Sequence, residues 1–173
     1  DTAFSLVRYG NVLNSRGSVI PHFKKLVSEN KKTLPLTNEK MSRFFIKVED
    51  GVQFVVDAFY RMQGGEIFVP KLPTIYIKDL IKALDKKHEI TGVRPGEKLH
   101  EVLCSREESH LTLEFKNHYV IKPSVWEENT KNYKKDKKGE TGKNVKESFE
   151  YSSLSNSNVL TLPKIKELLK TIN

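Results

Sequence analysis

The sequence predicts an α/β chain, and three observations carry that expectation. Segments with apolar residues at helical spacing alternate with short runs of β-branched and aromatic residues. Glycine or proline marks most of the junctions between them. The chain has 173 residues, 37% of them hydrophobic and 30% charged. That is long enough for one domain with a real core, under a polar surface.

The elements follow in order. Phe4–Arg8 reads as a short buried strand, broken by Gly10 and Asn11. Val19–Asn30 reads as a helix, with Ile20, Phe23, Leu26 and Val27 at helical spacing. Its Pro21 falls in the first turn, where a missing N–H costs nothing. Leu34–Thr37 and Phe44–Ile46 read as extended pieces. Glu49–Met62 is the clearest helix, with Val52, Val55, Val56 and Phe59 as its apolar stripe and Gly64-Gly65 as its stop. Glu66–Val69 is a strand closed by Pro70, Ile77–Lys87 a helix and Glu89–Val93 a strand. Pro95-Gly96 makes a turn, and a short helix is predicted over Glu97–Leu103. Tyr119–Ile121 is a late strand stopped by Pro123, and Leu162–Ile172 is a terminal helix entered through Pro163.

Bulk features exclude several classes. No apolar run approaches the roughly 18 residues that span a bilayer, so no membrane partner is expected. The opening ten residues lack a basic region and a small-residue cleavage site. Cys104 is the single cysteine, which fits a reducing cytoplasm. The chain opens on Asp1 rather than Met and reads as a piece of a longer protein. The formal charge is +8, concentrated in the stretch 131–146, where seven lysines face only Asp136 and Glu140. A solvated lysine-rich loop is the plain reading. The competing reading, a basic polyanion-binding module, finds only Tyr133 inside the run to stack on bases, so nucleic acid is not an expected partner.

No G-x-G-x-x-G turn is present to open a dinucleotide-binding fold. The five histidines show no ligand spacing, and no metal site is expected. Cys104 reads as a small buried hydrophobe. Lys71 either points from the end of a strand to a ligand edge or is an ordinary surface lysine. Trp126 reads as a packing residue. More informative are three arginines beside turn-forming or rigid residues: Arg8-Tyr9-Gly10-Asn11-Val12, Ser42-Arg43-Phe44-Phe45-Ile46 and Arg94-Pro95-Gly96-Glu97. A guanidinium makes paired, charge-assisted bonds to phosphate and keeps its charge at any relevant pH. Each one taken singly reads as a surface ion pair.

Their order says more. The chain resembles extended short-chain dehydrogenases/reductases that act on nucleotide sugars. In those proteins a strand ends in Arg-Tyr-x-Asn, then a Pro-bearing helix, a Leu-Pro-like piece, an Arg-x-(Tyr/Phe)-Ile segment and an Arg-x-Gly-(Asp/Glu) turn follow. More narrowly, Arg8–Val12, Ser15–Pro21, Met41–Ile46, Gly65–Lys71 and Gly92–Glu101 resemble the inverting UDP-N-acetylglucosamine 4,6-dehydratases. Glu108–Phe115 and Phe149–Ser153 resemble the branch that begins pseudaminic acid synthesis.

The resemblance implies the end of a Rossmann sheet plus the smaller substrate-binding α/β subdomain of such an enzyme. It implies a substrate-binding part over 1–125 with the last Rossmann strands, a polar loop over 126–148 and a tail with the terminal helix over 149–173. By the same resemblance Tyr9 would lie beside the nicotinamide of NADP. Asn11 would hold the sugar and phosphate end of UDP-N-acetylglucosamine. Val19 and Thr37 would lie near the uracil, Arg43 and Arg94 would clamp the diphosphate, and Glu97 would hold the ribose. Lys71 joins the substrate side. The family's chemistry takes a hydride from sugar C4 onto NADP, eliminates water across C5 and C6, and returns the hydride to C6. Its catalytic residues have no counterpart among these residues, so turnover by this chain alone is not expected. An epimerase or dehydratase of capsule or O-antigen synthesis is the neighbouring alternative, and a homo-oligomer is expected.

Overall fold

The computed structural model describes residues 2–124 and 131–172. Trp126, and with it the packing role expected for it, lies outside the described residues. In chain order the elements are β1 (Leu6–Val7), β2 (Asn11–Val12), α1 (Val19–Ser28), β3 (Thr33–Leu36), β4 (Ser42–Ile46), α2 (Val48–Arg61), β5 (Ile67–Pro70) and β6 (Thr74–Tyr76). Then come α3 (Ile77–Ala83), β7 (Lys87–Ile90), β8 (Val102–Cys104), a 3-10 turn (Ser109–Leu111), β9 (Thr112–Glu114), β10 (His118–Ile121), β11 (Lys143–Asn144), β12 (Tyr151–Ser152) and α4 (Leu162–Lys170). They form two compact units that interleave along the sequence. The first takes Asp1–Tyr9, Glu49–Lys71 and Val102–Ser152, and the second Gly10–Val48, Leu72–Glu101 and Ser153–Asn173.

The first unit is built on a five-stranded sheet of order β1-β5-β10-β9-β11, with β1 parallel to β5 and the rest antiparallel. Its core holds Ala58, Phe68, Leu113, Phe115, Val120 and Tyr133. The lysine-rich stretch is therefore not a free loop. Its lysines are exposed, but Tyr133 and Asp136 are buried, and the Arg61 guanidinium pairs with both Asp136 and Glu140. The buried Glu66 carboxylate accepts from the Gln63 and Gly64 amides and from Ser5 Oγ, which ties the Gly64-Gly65 turn to the residue that leads into β1. Both glycines have positive φ, +106° and +89°, so the turn that ends α2 suits them.

The apolar stripe expected on α2 exists, but it faces outward. Val52, Val55, Val56 and Phe59 are exposed, and the helix turns Gly51 and Ala58 inward with Phe54 half-buried against the core. Small residues let the helix lie close on the sheet, and periodicity alone does not say which side does so.

In the second unit β2 pairs parallel with β4, β4 antiparallel with β6, and β3 parallel with β7. α1 buries Ile20 and Phe23 and ends at Asn30, whose φ of +59° reverses the chain. α3 buries Ile77, Leu80, Ile81 and Ala83, and α4 adds Ile165, fully buried. These side chains share one core with Leu34, Leu36, Met41, Phe45 and Ile75. The strand Leu34-Pro35-Leu36 emerges as expected: Leu34 and Leu36 alternate into the core around Pro35.

The helix predicted over Glu97–Leu103 does not form. Ser42 N–H and the Arg43 guanidinium bond the carbonyls of Lys98 and Leu99, so these acceptors point sideways to β4 instead of up a helix. Gly10 sits so close to Phe44 that an added Cβ would fall 2.5 Å from Phe44 Cβ and 2.7 Å from its carbonyl oxygen. Gly10→Ala is therefore expected to destabilise the second unit by about 1–3 kcal/mol. A urea midpoint within error of the parent chain would contradict this.

Candidate functional site

The parallel pairing of β3 with β7 sets Leu36 against Ile90, so Thr37 and Thr91 leave the sheet side by side. Ligands of α/β folds bind outside such carboxyl ends of parallel strands. A cleft of about 470 Å³ opens there, wholly within the second unit. Asn11 on β2, the Gly17–Val19 entry to α1, Thr37, Arg43, Arg94 and Glu97 line it with Phe23, Met41 and Ile77. That size and mix, an apolar floor with a few convergent polar groups, suits a small organic ligand.

The floor is apolar: Phe23, Met41 and Ile77 are buried. One wall is the N-terminus of α1, whose Val19 and Ile20 amides have no acceptor inside the helix and favour an anion. Ser18 caps that helix in position only. Its Oγ makes no capping bond, is buried, and has no hydrogen-bond partner among the described residues.

The opposite wall is the turn after β7. Gly92 and Gly96, with φ of +83° and +78°, let it reverse tightly, and it carries Arg94 into solvent at the cleft mouth. Glu97 holds the turn shut: its amide donates to the Arg94 carbonyl at 3.0 Å and its carboxylate accepts from the Arg94 amide at 3.3 Å. The other carboxylate oxygen takes a bond from Thr37 Oγ1 at 3.2 Å. Behind the turn Ser42 Oγ bonds His100 Nδ1 at 2.7 Å and Ser153 Oγ at 2.9 Å. Burial, with the nearby Arg43 cation adding to it, lowers the His100 pKa, so this ring is neutral at pH 7.

Residues 1–123 match the family described as polysaccharide biosynthesis protein, and they include the cleft's β2, β3, β4 and the Arg94 turn. The chain belongs to the polysaccharide biosynthesis protein family. Over 175 residues this family member is 50% identical to a Campylobacter jejuni serotype O:2 protein named UDP-N-acetylglucosamine 4,6-dehydratase (inverting), covering 99% of this chain and 52% of that protein. It is 38% identical over 179 residues to a Rickettsia massiliae UDP-glucose 4-epimerase, covering 100% of this chain and 51% of that protein. The X-ray structure of Pen from Bacillus thuringiensis superposes with a TM-score of 0.79 at 28% identity, over 98% of this chain and 50% of that one. The chain thus spans about half the length of the curated relatives it matches. Its fold is the α/β fold of extended short-chain dehydrogenases/reductases, as expected.

In this polysaccharide biosynthesis chain the structure brings six sequence-predicted residues together: Asn11, Val19, Thr37, Arg43, Arg94 and Glu97 all line the one cleft. Tyr9 and Lys71 belong to the first unit. Tyr9 is 40% exposed, and Lys71 pairs with Glu114 at 2.7 Å and lies over the Tyr119 ring. Arg8 is structural: its guanidinium forks onto the Glu108 carboxylate at 3.1 Å and bonds the Leu103 carbonyl. Burial works against charge on Glu108, yet the Arg8 fork prevails and its pKa is lowered. Cys104 is fully buried, and burial with the Glu108 carboxylate nearby pushes its thiol up to about 12, so it is no nucleophile at pH 7.

Sequence reasoning did not single out Ser18, His22 or Thr91, which also line the cleft. Ser18 lies inside a motif that carries the family resemblance, and that was the available signal. Among the described residues no three or more His, Cys, Asp or Glu side chains gather in a metal-binding group. No helix there is long and apolar enough to cross a membrane.

Proposed function

We propose that the whole protein is a 5-inverting UDP-N-acetylglucosamine 4,6-dehydratase and that this chain is its UDP-sugar-binding portion. The observation that carries this reading is the convergence of Asn11, Arg43, Arg94 and Glu97 on one cleft beside the α1 N-terminus. The 50% identity to an inverting dehydratase supports the same assignment. In this reading the uracil lies on the apolar floor near Val19 and Thr37, and Glu97 accepts from the ribose. The diphosphate lies between Arg43 and Arg94, with Asn11 toward the sugar. Anchoring the remote nucleotide places the reacting sugar, which turns binding energy into rate. Lys71 belongs to the substrate side as well, with Glu114 as its partner in the free chain.

NADP would supply the hydride chemistry. The described residues do not form a cradle for it: no glycine-rich turn follows β1, and Tyr9, the residue assigned beside the nicotinamide, is a single exposed ring. The dinucleotide site and the catalytic groups are accordingly assigned outside this chain, and no chemical step is placed on its residues. The segment 1–125 is assigned the substrate-binding role, with the lysine-rich segment and the terminal helix as additions to it. The enzyme is placed in the cytoplasm, as a homo-oligomer, in nucleotide-sugar synthesis for surface polysaccharide or flagellin glycosylation through the pseudaminic acid branch.

Calorimetry of this chain with UDP is expected to give one site whose affinity falls with added salt, as for a diphosphate between arginines. No heat at millimolar UDP would count against the cleft assignment. A UDP-sugar 4-epimerase is the second reading, favoured by the 38% identity to the Rickettsia epimerase. NMR of the product made by the full-length protein separates them, because a 6-deoxy-4-keto sugar carries a methyl signal that an epimer lacks.

A further inference from the structure

Arg43 is already engaged by the protein itself, through three hydrogen bonds and an ion pair. One terminal nitrogen donates to the carbonyls of Ser42 at 2.8 Å and Leu99 at 2.9 Å, the other to the carbonyl of Lys98 at 2.6 Å, and Nε faces the Glu101 carboxylate at 3.2 Å. The side chain is only 12% exposed. A guanidinium so committed has most of its donor capacity turned toward the protein. Apart from the bond to the adjacent Ser42 carbonyl, its engagements fall on one short segment, Lys98–Glu101, immediately behind the turn that carries Arg94 and Glu97.

That turn hangs between two posts. At its start the Thr91 amide donates to the Leu36 carbonyl at 2.9 Å. At its end Arg43 grips Lys98, Leu99 and Glu101. Residues 92–96 between the posts are exposed, and two of them are glycines in the left-handed region. Such a turn keeps its shape only as well as its ends are held.

We infer that Arg43, beyond its place beside the diphosphate, acts chiefly as a positioning residue: it braces the Lys98–Glu101 segment and thereby fixes the Arg94–Glu97 turn over the cleft, with Glu101 as the carboxylate that aims it. This rests on the UDP-sugar reading only for the ligand, not for the brace. It differs in sign from a direct clamp. If Arg43 served mainly by holding phosphate, removing the competing Glu101 carboxylate would free a donor, leave more positive charge for the ligand and hold or raise affinity. If Arg43 is a brace, Glu101→Ala weakens it from outside the cleft, and affinity falls. Lysine also separates the two. A point cation can still attract phosphate, but it cannot span three carbonyls and a carboxylate as the planar fork does.

The test is amide hydrogen exchange of the free chain together with UDP calorimetry, on the parent, Arg43→Lys and Glu101→Ala. Expected in both variants is about tenfold faster exchange at the Arg94 and Glu97 amides, while the Leu13 amide, bonded to the Ile46 carbonyl in the core, stays protected. UDP affinity is expected to fall in both, with lysine failing to rescue. Turn amides that exchange within twofold of the parent in both variants would overturn the brace, as would tighter UDP binding by Glu101→Ala. Should the parent not bind UDP at all, the functional reading fails while the exchange data still decide the brace. Glu101 lies outside the cleft lining, so it keeps the test open if Arg43→Lys does not fold.

Discussion

Arg94→Ala is expected to weaken UDP binding by about 2–5 kcal/mol, at least about 30-fold in Kd. Arg94 differs from Arg43 in its exposure: its side chain stands in solvent at the cleft mouth, and among the described residues its bonds are those of its backbone to Glu97. It therefore gives up water rather than protein partners when a diphosphate arrives. The turn's exposure places the effect toward the lower end of that range, because the pair is desolvated only by the ligand. Since Glu97 holds the turn through the backbone, the variant should fold as the parent does. Calorimetry at matched salt reads the loss. A Kd within threefold of the parent would remove Arg94 from phosphate contact.

The second large effect is on stability at acid pH and comes from His118. This ring is 3% exposed, stacked on Phe115 at 4.7 Å between centroids, met edge-on by Phe54 and flanked by the tilted ring of Phe68. Its Nε2 is buried and has no hydrogen-bond partner among the described residues. Burial pushes its pKa from 6.5 down to about 4; Arg61 and Lys71 add to the depression, and Glu140 and Asp136 oppose it. The unfolded chain therefore binds a proton between about pH 6.5 and 4 that the folded chain refuses. The contribution is fully present above pH 6.5 and is lost as the pH falls toward 4, about 3 kcal/mol in all. His118→Phe keeps the aromatic stack and removes the proton. Urea midpoints at pH 7, 5.5 and 4.5 should fall steeply for the parent and much less for the variant. Equal slopes would show that His118 does not govern the acid limb.

Much of this was legible in the sequence, for identifiable reasons. α1, α3 and α4 follow from apolar spacing and the position of proline, and Leu34-Pro35-Leu36 from alternation. The direction of α2's stripe was not legible, because a helical period groups Val52, Val55, Val56 and Phe59 on a face without saying what that face meets. The helix expected over Glu97–Leu103 failed for a non-local reason: a side chain more than fifty residues earlier captures its carbonyls. The two- and three-residue strands β6, β8, β11 and β12 are too short to carry a pattern. At the site, the ordered motifs led to the six cleft residues. The motifs could not tell that one arginine is engaged inside the protein and the other stands exposed in solvent. That distinction lies in the hydrogen bonds.

The terminal helix has a bearing on how the molecule is made. Ile165 on α4 is sealed in the same core as Ile20 and Phe23, which flank the cleft's wall. A ribosome must deliver residue 165 before that core can close, although the guanidiniums and carboxylates of the cleft were synthesised some seventy residues earlier or more. A premature stop codon in the stretch encoding α4 would leave every ligand-facing side chain encoded, yet deprive the unit that bears them of its last apolar wedge. Such a product would be lost to proteolysis rather than to faulty recognition.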